Sequence, residues 1–327
     1  MKKNSLPKIW VILLNWNGKK DTLECLASLE KVNTPNFQTL VVDNGSTDDS
    51  VTTLRAAYPE ILILETGANL GFAGGNNSGI EWALRHKADW ILLLNNDTVV
   101  DPEFLNAFLK AAKENPRAKI LGAKIYRYSD RLRIDHLGGF WDPKIAEFES
   151  PASGQLDDNP YQFVDMEPVD YVCGAALFMH RSVPEKIGLL ESRFFLFWEE
   201  TDFCFRAKRA GFETWTAPEA KIWHKVSSSF TGGKPHMHYF WWRSRLLWIE
   251  RNCTPSEKRT LYLRIVIPEL WKSLRHYTVK SLMGIFTQTK DPLRLEKIRR
   301  MKAGCYGALD YFRGRFGNCP SWLLKKK

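Results

Sequence analysis

Four apolar runs divide the first hundred residues. KIWVILLNW (8–16), FQTLVVDNGS (37–46), ILILET (61–66) and DWILLLNND (89–97) are rich in Val, Ile and Leu and have the length of buried strands. Between them the apolar spacing becomes helical, around Asp21 to Leu29, Ser46 to Tyr58 and Asn76 to His86. Ser46, Thr47 and Asp48 are N-cap candidates for the second of these helices. Strands and helices alternating at this spacing predict an α/β fold whose mainly parallel central sheet is covered on both faces. Open sheets of that kind bind ligands beyond the carboxyl ends of their strands.

Three of those ends carry polar clusters: Asn15-Trp16-Asn17, Asp43-Asn44-Gly45 and Asn95-Asn96-Asp97. Turn chemistry accounts for any one of them alone. Three on one sheet edge point to a ligand site.

From Tyr126 to Asp170 the pattern weakens into loops and short strands rich in Gly, Pro, Asp and Ser. An apolar run returns at VDYVCGAALFMHRSV (169–183). FFLFWEETDFCFRAKRAGFETW (194–215) opens as an aromatic run and continues as an amphipathic helix ending near Gly211. Beyond Tyr239 helical spacing dominates. The expected organisation is a body over 1–238, with halves 1–125 and 126–238, and a helical C-terminal region over 239–327.

Charge sharpens this division. Residues 241–327 hold 20 Lys+Arg against 6 Asp+Glu, while the first 240 hold 27 against 31. A mildly acidic body therefore carries a basic C-terminal surface, suited to anionic lipid, a phosphorylated acceptor or nucleic acid. That region lacks any recognisable RNA- or DNA-binding module, so no nucleic-acid partner is expected. No apolar run reaches the ~18 residues of a membrane span. Asn15, Trp16 and Asn17 interrupt the first apolar run, and no small-residue cleavage site follows, which argues against a signal peptide. The six cysteines show no CxxC pairing and read as reduced thiols, so a cytoplasmic location is expected.

Four features could carry chemistry. Asp97 ends a buried run, where a carboxylate can hold a hard divalent cation that keeps its remaining positions for phosphate and water. TGANLGFAGGNNSG (66–79) has glycines at 67, 71, 74, 75 and 79 and runs into a helix. It is either a loop whose backbone approaches a diphosphate or a plain flexible loop, and no GK[ST] follows it. Trp198-Glu199-Glu200-Thr201-Asp202 places three carboxylates in four residues, as a helix-capping cluster or as a general base beside a cation. His224, in KIWHKVSSS, is either a ligand or a structural histidine. His236 and His238 lie in a Gly/Pro-flanked stretch and read more weakly.

Taken together, VILLNWNG, VVDNGSTDDS, NLGFAGGNNSGI, LLLNNDT, GAALFMHRSVPEKIGLLESRFFLFWEETDFCFRAKRAGF and IWHKVSSS resemble the family 2 glycosyltransferases, in that family's order and over roughly residues 8–230. ALDYFRGRFG is similar to the end of the rhamnosyltransferase-like branch. The resemblance implies a GT-A fold. LLLNNDT stands where the family has its DxD motif, with Asn95 replacing the first Asp. Asp97 would then bind Mg2+ or Mn2+ on the donor's diphosphate, and His224 would complete the metal site. Asp43 matches the acid that recognises the nucleobase, with Asn15 and Asn17 in the same pocket. Asn69, Gly71, Asn77 and Asn96 would line the rest of the donor site. Glu200 matches the catalytic base, where the wider family more often has Asp. Trp198, Glu199 and Asp202 would orient the acceptor or cap the helix. Arg243 resembles a basic position near the phosphates, with Ser244 in place of the branch's usual Asn.

The implied activity is inverting transfer of a sugar, with rhamnose the branch's suggestion. The donor would be dTDP- or UDP-linked. The acceptor would be a hydroxyl of a saccharide or a polyprenyl-diphosphate-linked glycan, in cell-surface polysaccharide synthesis. The basic region would favour peripheral contact with an anionic inner-membrane face. Trp241, Trp242, Trp248 and Trp271 would then sit at the interface, unless they serve helix packing. A nucleotidyltransferase or a catalytically silent sugar-nucleotide-binding protein are the competing readings.

Overall fold

The computed structural model describes residues 6–225, 234–287 and 291–324. Its first half follows the alternation expected: β1 (Ile9–Asn15), α1 (Lys19–Leu29), β2 (Phe37–Asp43), α2 (Ser50–Ala57), β3 (Leu62–Glu65), α3 (Gly71–Arg85) and β4 (Trp90–Asn95). Next come β5 (Thr98–Val100), α4 (Phe104–Glu114), β6 (Ala118–Arg127), β7 (Asp130–His136), and a small hairpin of β8 (Phe140–Asp142) and β9 (Glu147–Glu149). The body closes with β10 (Ala176–His180), α5 (Ser182–Ile187), α6 (Glu199–Arg209) and β11 (Glu213–His224). The helical region holds α7 (Pro235–Asn252), α8 (Pro255–Leu261), a π-turn at Tyr262–Val266, α9 (Ile267–Thr287) and α10 (Pro292–Phe312). The boundary expected between 238 and 239 therefore falls inside α7.

Among the described residues the main sheet runs β3-β2-β1-β4-β10-β6-β11-β5, with β7 on β6. β3, β2, β1 and β4 are mutually parallel, β10 is antiparallel to both its neighbours, and β6 and β11 are parallel again. Strand β1 shows why the apolar runs are continuous. Ile9, Val11 and Leu13 face one core with α1 and α4, while Trp10 and Ile12 face the other with α3. A strand buried on both faces has no polar face to offer.

Register brings the polar clusters together. Asn15 pairs with Asp43 across β1 and β2, and Leu14 pairs with Asn95 across β1 and β4. The first apolar-to-polar transition on each strand thus falls at one height.

Two local expectations change. Helix α2 starts at Ser50 rather than Ser46, because the Ser46 hydroxyl is engaged with Asp43 and Asn15 instead of capping a helix. Helix α3 starts at Gly71, so most of the glycine-rich stretch is helical rather than an open loop. Its glycines allow close packing on the sheet. A Cβ on Gly79 would lie 2.5 Å from Ile12 Cγ2, and one on Gly75 would lie 2.5 Å from Leu14 Cδ1.

The helical region packs firmly on the body. Arg245, fully buried on α7, donates to the Ala146 and Ile145 carbonyls and pairs with Glu269 at 2.6 Å. Glycines let α10 lie directly on α7: a Cβ on Gly307 would lie 2.1 Å from the Tyr239 carbonyl oxygen, and one on Gly304 would lie 2.7 Å from Trp242. Packing claims Trp242 and Trp248, both buried, and most of Trp241, whereas Trp271 stays exposed. All six cysteines are unpaired. Among the described residues no helix is long and apolar enough to cross a membrane.

Candidate active site

A cleft of about 390 Å³ opens beyond the carboxyl ends of β1, β2 and β4. Asn17, Gly18, Asn44, Asn69, Gly71, Asn96 and Asp97 line one side, and His236, Met237 and Phe240 of α7 close the other. Of the expected donor residues, Asn17, Asn69, Gly71, Asn96 and Asp97 therefore share one cavity.

Asn15 and Asp43 lie behind it as a buried polar unit. Asn15 Nδ2 donates to Asp43 Oδ1 at 2.8 Å, and Thr22 Oγ1 donates to Asn15 Oδ1 at 2.9 Å. Ser46 donates to Asp43 through its hydroxyl at 2.6 Å and its amide at 3.0 Å. A carboxylate anchored this way is fixed in direction before any ligand arrives. Asn17, at φ +52°, accepts from the Thr47 and Asp48 amides at 2.8 and 3.2 Å and so holds the loop after β2. Asn69 accepts from the Gly71 amide at 2.9 Å and from Asn44 Nδ2 at 3.2 Å. Gly71 sits at φ +75°, and a Cβ there would lie 2.4 Å from the Phe195 carbonyl oxygen, so only glycine fits.

Asp97 meets His224 from the far end of β11: Asp97 Oδ1 and His224 Nε2 are 3.1 Å apart. The other ring nitrogen faces Asp135 Oδ2 of β7 at 3.5 Å, longer than a good hydrogen bond. Burial alone would lower the His224 pKa, but the two carboxylates outweigh it and raise the pKa to about 9. The same negative field suits a divalent ion. A divalent ion held by Asp97 Oδ1 and His224 Nε2, which face each other at 3.1 Å, would take the place of the proton they share. Among the described residues no three His, Cys, Asp or Glu side chains form a complete metal cage. A cation shared with phosphate oxygens needs only one or two protein ligands. Asp135 went unrecognised in the sequence, because nothing in RLRIDHLGG marks it. Only the pairing of β7 with β6, and of β6 with β11, brings it to His224.

The carboxylate cluster starts α6. Glu200 does not line the cleft. A methyl group at Gly174 would meet the Phe72 ring, a cleft residue, at 3.3 Å and the Glu200 Cβ at 3.8 Å. Its Oε2 is buried and unpartnered, as is Glu199 Oε2. Burial raises the Glu200 pKa to about 7 against the pull of backbone amides at the helix start. Burial and the neighbouring Glu200 charge push Glu199 up as well.

Ahead of Glu200 the backbone is strained. Phe195, Phe197 and Trp198 all adopt positive φ, at +62°, +67° and +72°. Each costs of order 1–3 kcal/mol, and such strain concentrates at functional sites. Neighbouring elements hold it in place. The Phe72 amide of α3 donates to the Phe195 carbonyl at 2.6 Å. The Ser244 hydroxyl of α7 reaches the Phe194 and Leu196 carbonyls at 3.2 and 2.9 Å. Ser244 is thus a brace for the segment carrying Glu200, a contact the sequence did not reveal.

Three more of the expected residues lie outside the cleft, engaged by packing. Asn77 spends its amide on Leu190, accepting from its N–H at 2.9 Å and donating to its carbonyl at 2.8 Å. Asp202, fully buried, pairs with Arg206 and Arg251, both at 2.8 Å, and accepts from Asn252 at 3.0 Å. Burial would raise its pKa, but those partners outweigh it and keep it below the usual carboxylate range. Arg243 turns away from the cleft, donating to the Gly317 carbonyl at 2.6 Å with its guanidinium against Tyr239, Phe240 and Phe316. Asn77 and Asp202 read as structural because packing already uses their polar atoms, and Arg243 because its guanidinium is packed among Tyr239, Phe240 and Phe316.

Residues 10–188, more than half the chain, match the model of glycosyl transferase family 2. The chain belongs to that family. The transferase is 27% identical over 269 residues to N-acetylglucosaminyl-diphospho-decaprenol L-rhamnosyltransferase of Mycobacterium tuberculosis, covering 69% of this chain and 84% of the relative. It is 23% identical to the dTDP-rhamnosyl transferase RfbF of Shigella flexneri, covering 94% of this chain and 97% of the relative. Its fold is that of a mannosyltransferase from Pyrobaculum calidifontis solved with GDP-Man and Mn2+, at TM-score 0.56 and 14% identity over 95% of this chain and 89% of the other. This fold and family place the transferase in the rhamnosyltransferase-like, GT-A group expected from its motifs.

Proposed function

We propose that the transferase moves a sugar, with inversion, from a nucleoside diphosphate donor in the cleft to a hydroxyl of a saccharide acceptor. The observation that carries this reading is the arrangement around the cleft: Asp97, paired with His224, in its wall, an anchored Asp43 behind it, and a half-buried Glu200 of raised pKa outside it, across Gly174 from Phe72. The nucleobase end of the donor faces Asp43 and Asn17. Asn69, Gly71 and Asn96 line the path towards the phosphates. Asp97 and His224 would hold Mg2+ or Mn2+, which supplies charge neutralisation for the departing diphosphate. Glu200, once ionised, takes the proton of the acceptor hydroxyl, whose oxygen attacks the anomeric carbon opposite the nucleotide. The carboxylate then holds that proton, and the C–O bond to phosphate carries its electron pair away.

The two rhamnosyltransferase relatives, one named for a dTDP-linked donor and one for a diphospho-decaprenol acceptor, support a dTDP-linked donor over a UDP-linked one, rhamnose as the sugar and a lipid-linked glycan as acceptor. The experiment is nucleoside diphosphate release from dTDP-, UDP- and GDP-sugars with Mn2+ or Mg2+, with and without chelator. Release from one donor that stops with chelator supports the reading. Absence of both release and nucleotide binding by thermal shift would overturn it.

A further inference from the structure

Among the described residues, the C-terminal helices carry an apolar stripe that packing does not use. Leu263, Ile267, Trp271 and Leu274 are 59%, 51%, 61% and 49% exposed. Their spacing of four, four and three residues places them on one helical face. On the inner side of the same stretch Val266 is buried and Leu270 packs into the core with α7. The outer stripe is therefore apolar surface that the fold does not cover, although the helix is well anchored.

Its charges have one sign. Arg264, Lys272 and Arg275 are exposed beside the stripe, and the Arg275 guanidinium lies 5.6 Å from the centre of the Trp271 ring. The acidic residues nearby are already engaged. Glu269 pairs with buried Arg245 at 2.6 Å, and Glu257 closes the capping box at the start of α8. An apolar stripe edged by cations suits the boundary of an anionic bilayer, where apolar side chains enter the headgroup region and Lys and Arg meet lipid phosphates. A second copy of the chain suits it less, since pairing the stripe with itself would set these cations against one another.

We propose that this stripe docks the protein on an anionic lipid surface, with α9 lying in the interface plane. The proposal deepens the acceptor reading above by giving the enzyme the surface on which a lipid-linked substrate resides. The layer bearing the stripe also walls the cleft, through α10 packed on α7 and α7's His236, Met237 and Phe240.

Co-sedimentation of the full chain with vesicles tests the idea without requiring activity. The vesicles are phosphatidylcholine alone, or phosphatidylcholine mixed with phosphatidylglycerol. The proposal expects pelleting with the mixed vesicles only, weakening as added salt screens the charges. Trp271→Ser with Leu274→Ser should cut that partitioning roughly tenfold or more, with the melting temperature and nucleotide binding unchanged. Wild type remaining in the supernatant with both vesicles would overturn the proposal. So would a doubly substituted chain that pellets like wild type, or a dimer in solution that the same substitutions dissociate. Sugar transfer to a soluble acceptor is read separately, so failure of docking and failure of the transferase reading are distinguishable.

Discussion

His224 Nε2 and Asp97 Oδ1 stand 3.1 Å apart, although one residue ends β11 and the other follows β4. Their meeting depends on the antiparallel pairing of β11 with β5, which sets His224 opposite Thr98, the residue after Asp97. Asp135 stands behind the ring. Groups that orient a ligating histidine typically matter by 10- to 100-fold in metal affinity. Asp135→Asn is expected to weaken Mn2+ affinity, measured by calorimetry with the nucleoside diphosphate present, by roughly that factor. Unaltered affinity would assign Asp135 to packing alone.

A general base acts only when ionised. With the Glu200 pKa raised to about 7, kcat/KM should fall roughly tenfold per pH unit below about 7 and level off above it. Initial rates across about pH 5 to 9, with folding checked by circular dichroism at each pH, read this directly. A flat profile down to pH 5 would remove Glu200 from that role.

The same burial affects stability with a definite sign. Glu200 has an ordinary value of 4.5 and a folded value of about 7. Its contribution to stability is complete below 4.5 and is lost as pH rises through 7, where a buried carboxylate must carry its charge. Glu200→Gln removes that cost. The variant should be more stable than wild type at pH 8, by about 1–3 kcal/mol, and indistinguishable at pH 4. Chemical denaturation at the two pH values decides the matter, and a variant less stable at pH 8 would show that the ionised carboxylate is satisfied.

Asp202 has the opposite character, despite lying two residues away. Its carboxylate closes a buried network with Arg206, Arg251 and Asn252. Asp202→Ala removes an acceptor shared by three donors, while Arg251 keeps Glu191 and Arg206 keeps the Ile187 and Leu189 carbonyls, and should cost about 1.5–3 kcal/mol. Activity should then fall in step with the folded fraction measured by circular dichroism. A variant that stays folded yet loses turnover would return Asp202 to the chemistry.

Much of this was legible in the chain. Continuous apolar runs give the parallel strands, because a strand covered on both faces must be apolar throughout. Asn15, Asp43 and Asp97 were visible as polar residues ending such runs. Asn77, Asp202 and Arg243 were not separable from ligand residues, because a polar side chain looks the same in sequence whether it faces a cleft or a neighbouring carbonyl. The glycines of 66–79 misled for a related reason: close helix-to-sheet packing and a phosphate-binding loop both require the absence of a Cβ. Asp135 and Ser244 were invisible because their roles arise from strand order and from α7 crossing the Phe194–Leu196 carbonyls.

The most direct measurement is a comparison of wild type with Glu200→Gln in two assays, nucleoside diphosphate binding and sugar transfer. Glu200 does not line the donor cleft, so the substitution should leave nucleotide affinity within about threefold while transfer falls by roughly 10²–10⁴. Affinity and turnover declining together, or transfer persisting in the variant, would contradict the assignment of Glu200 as the base.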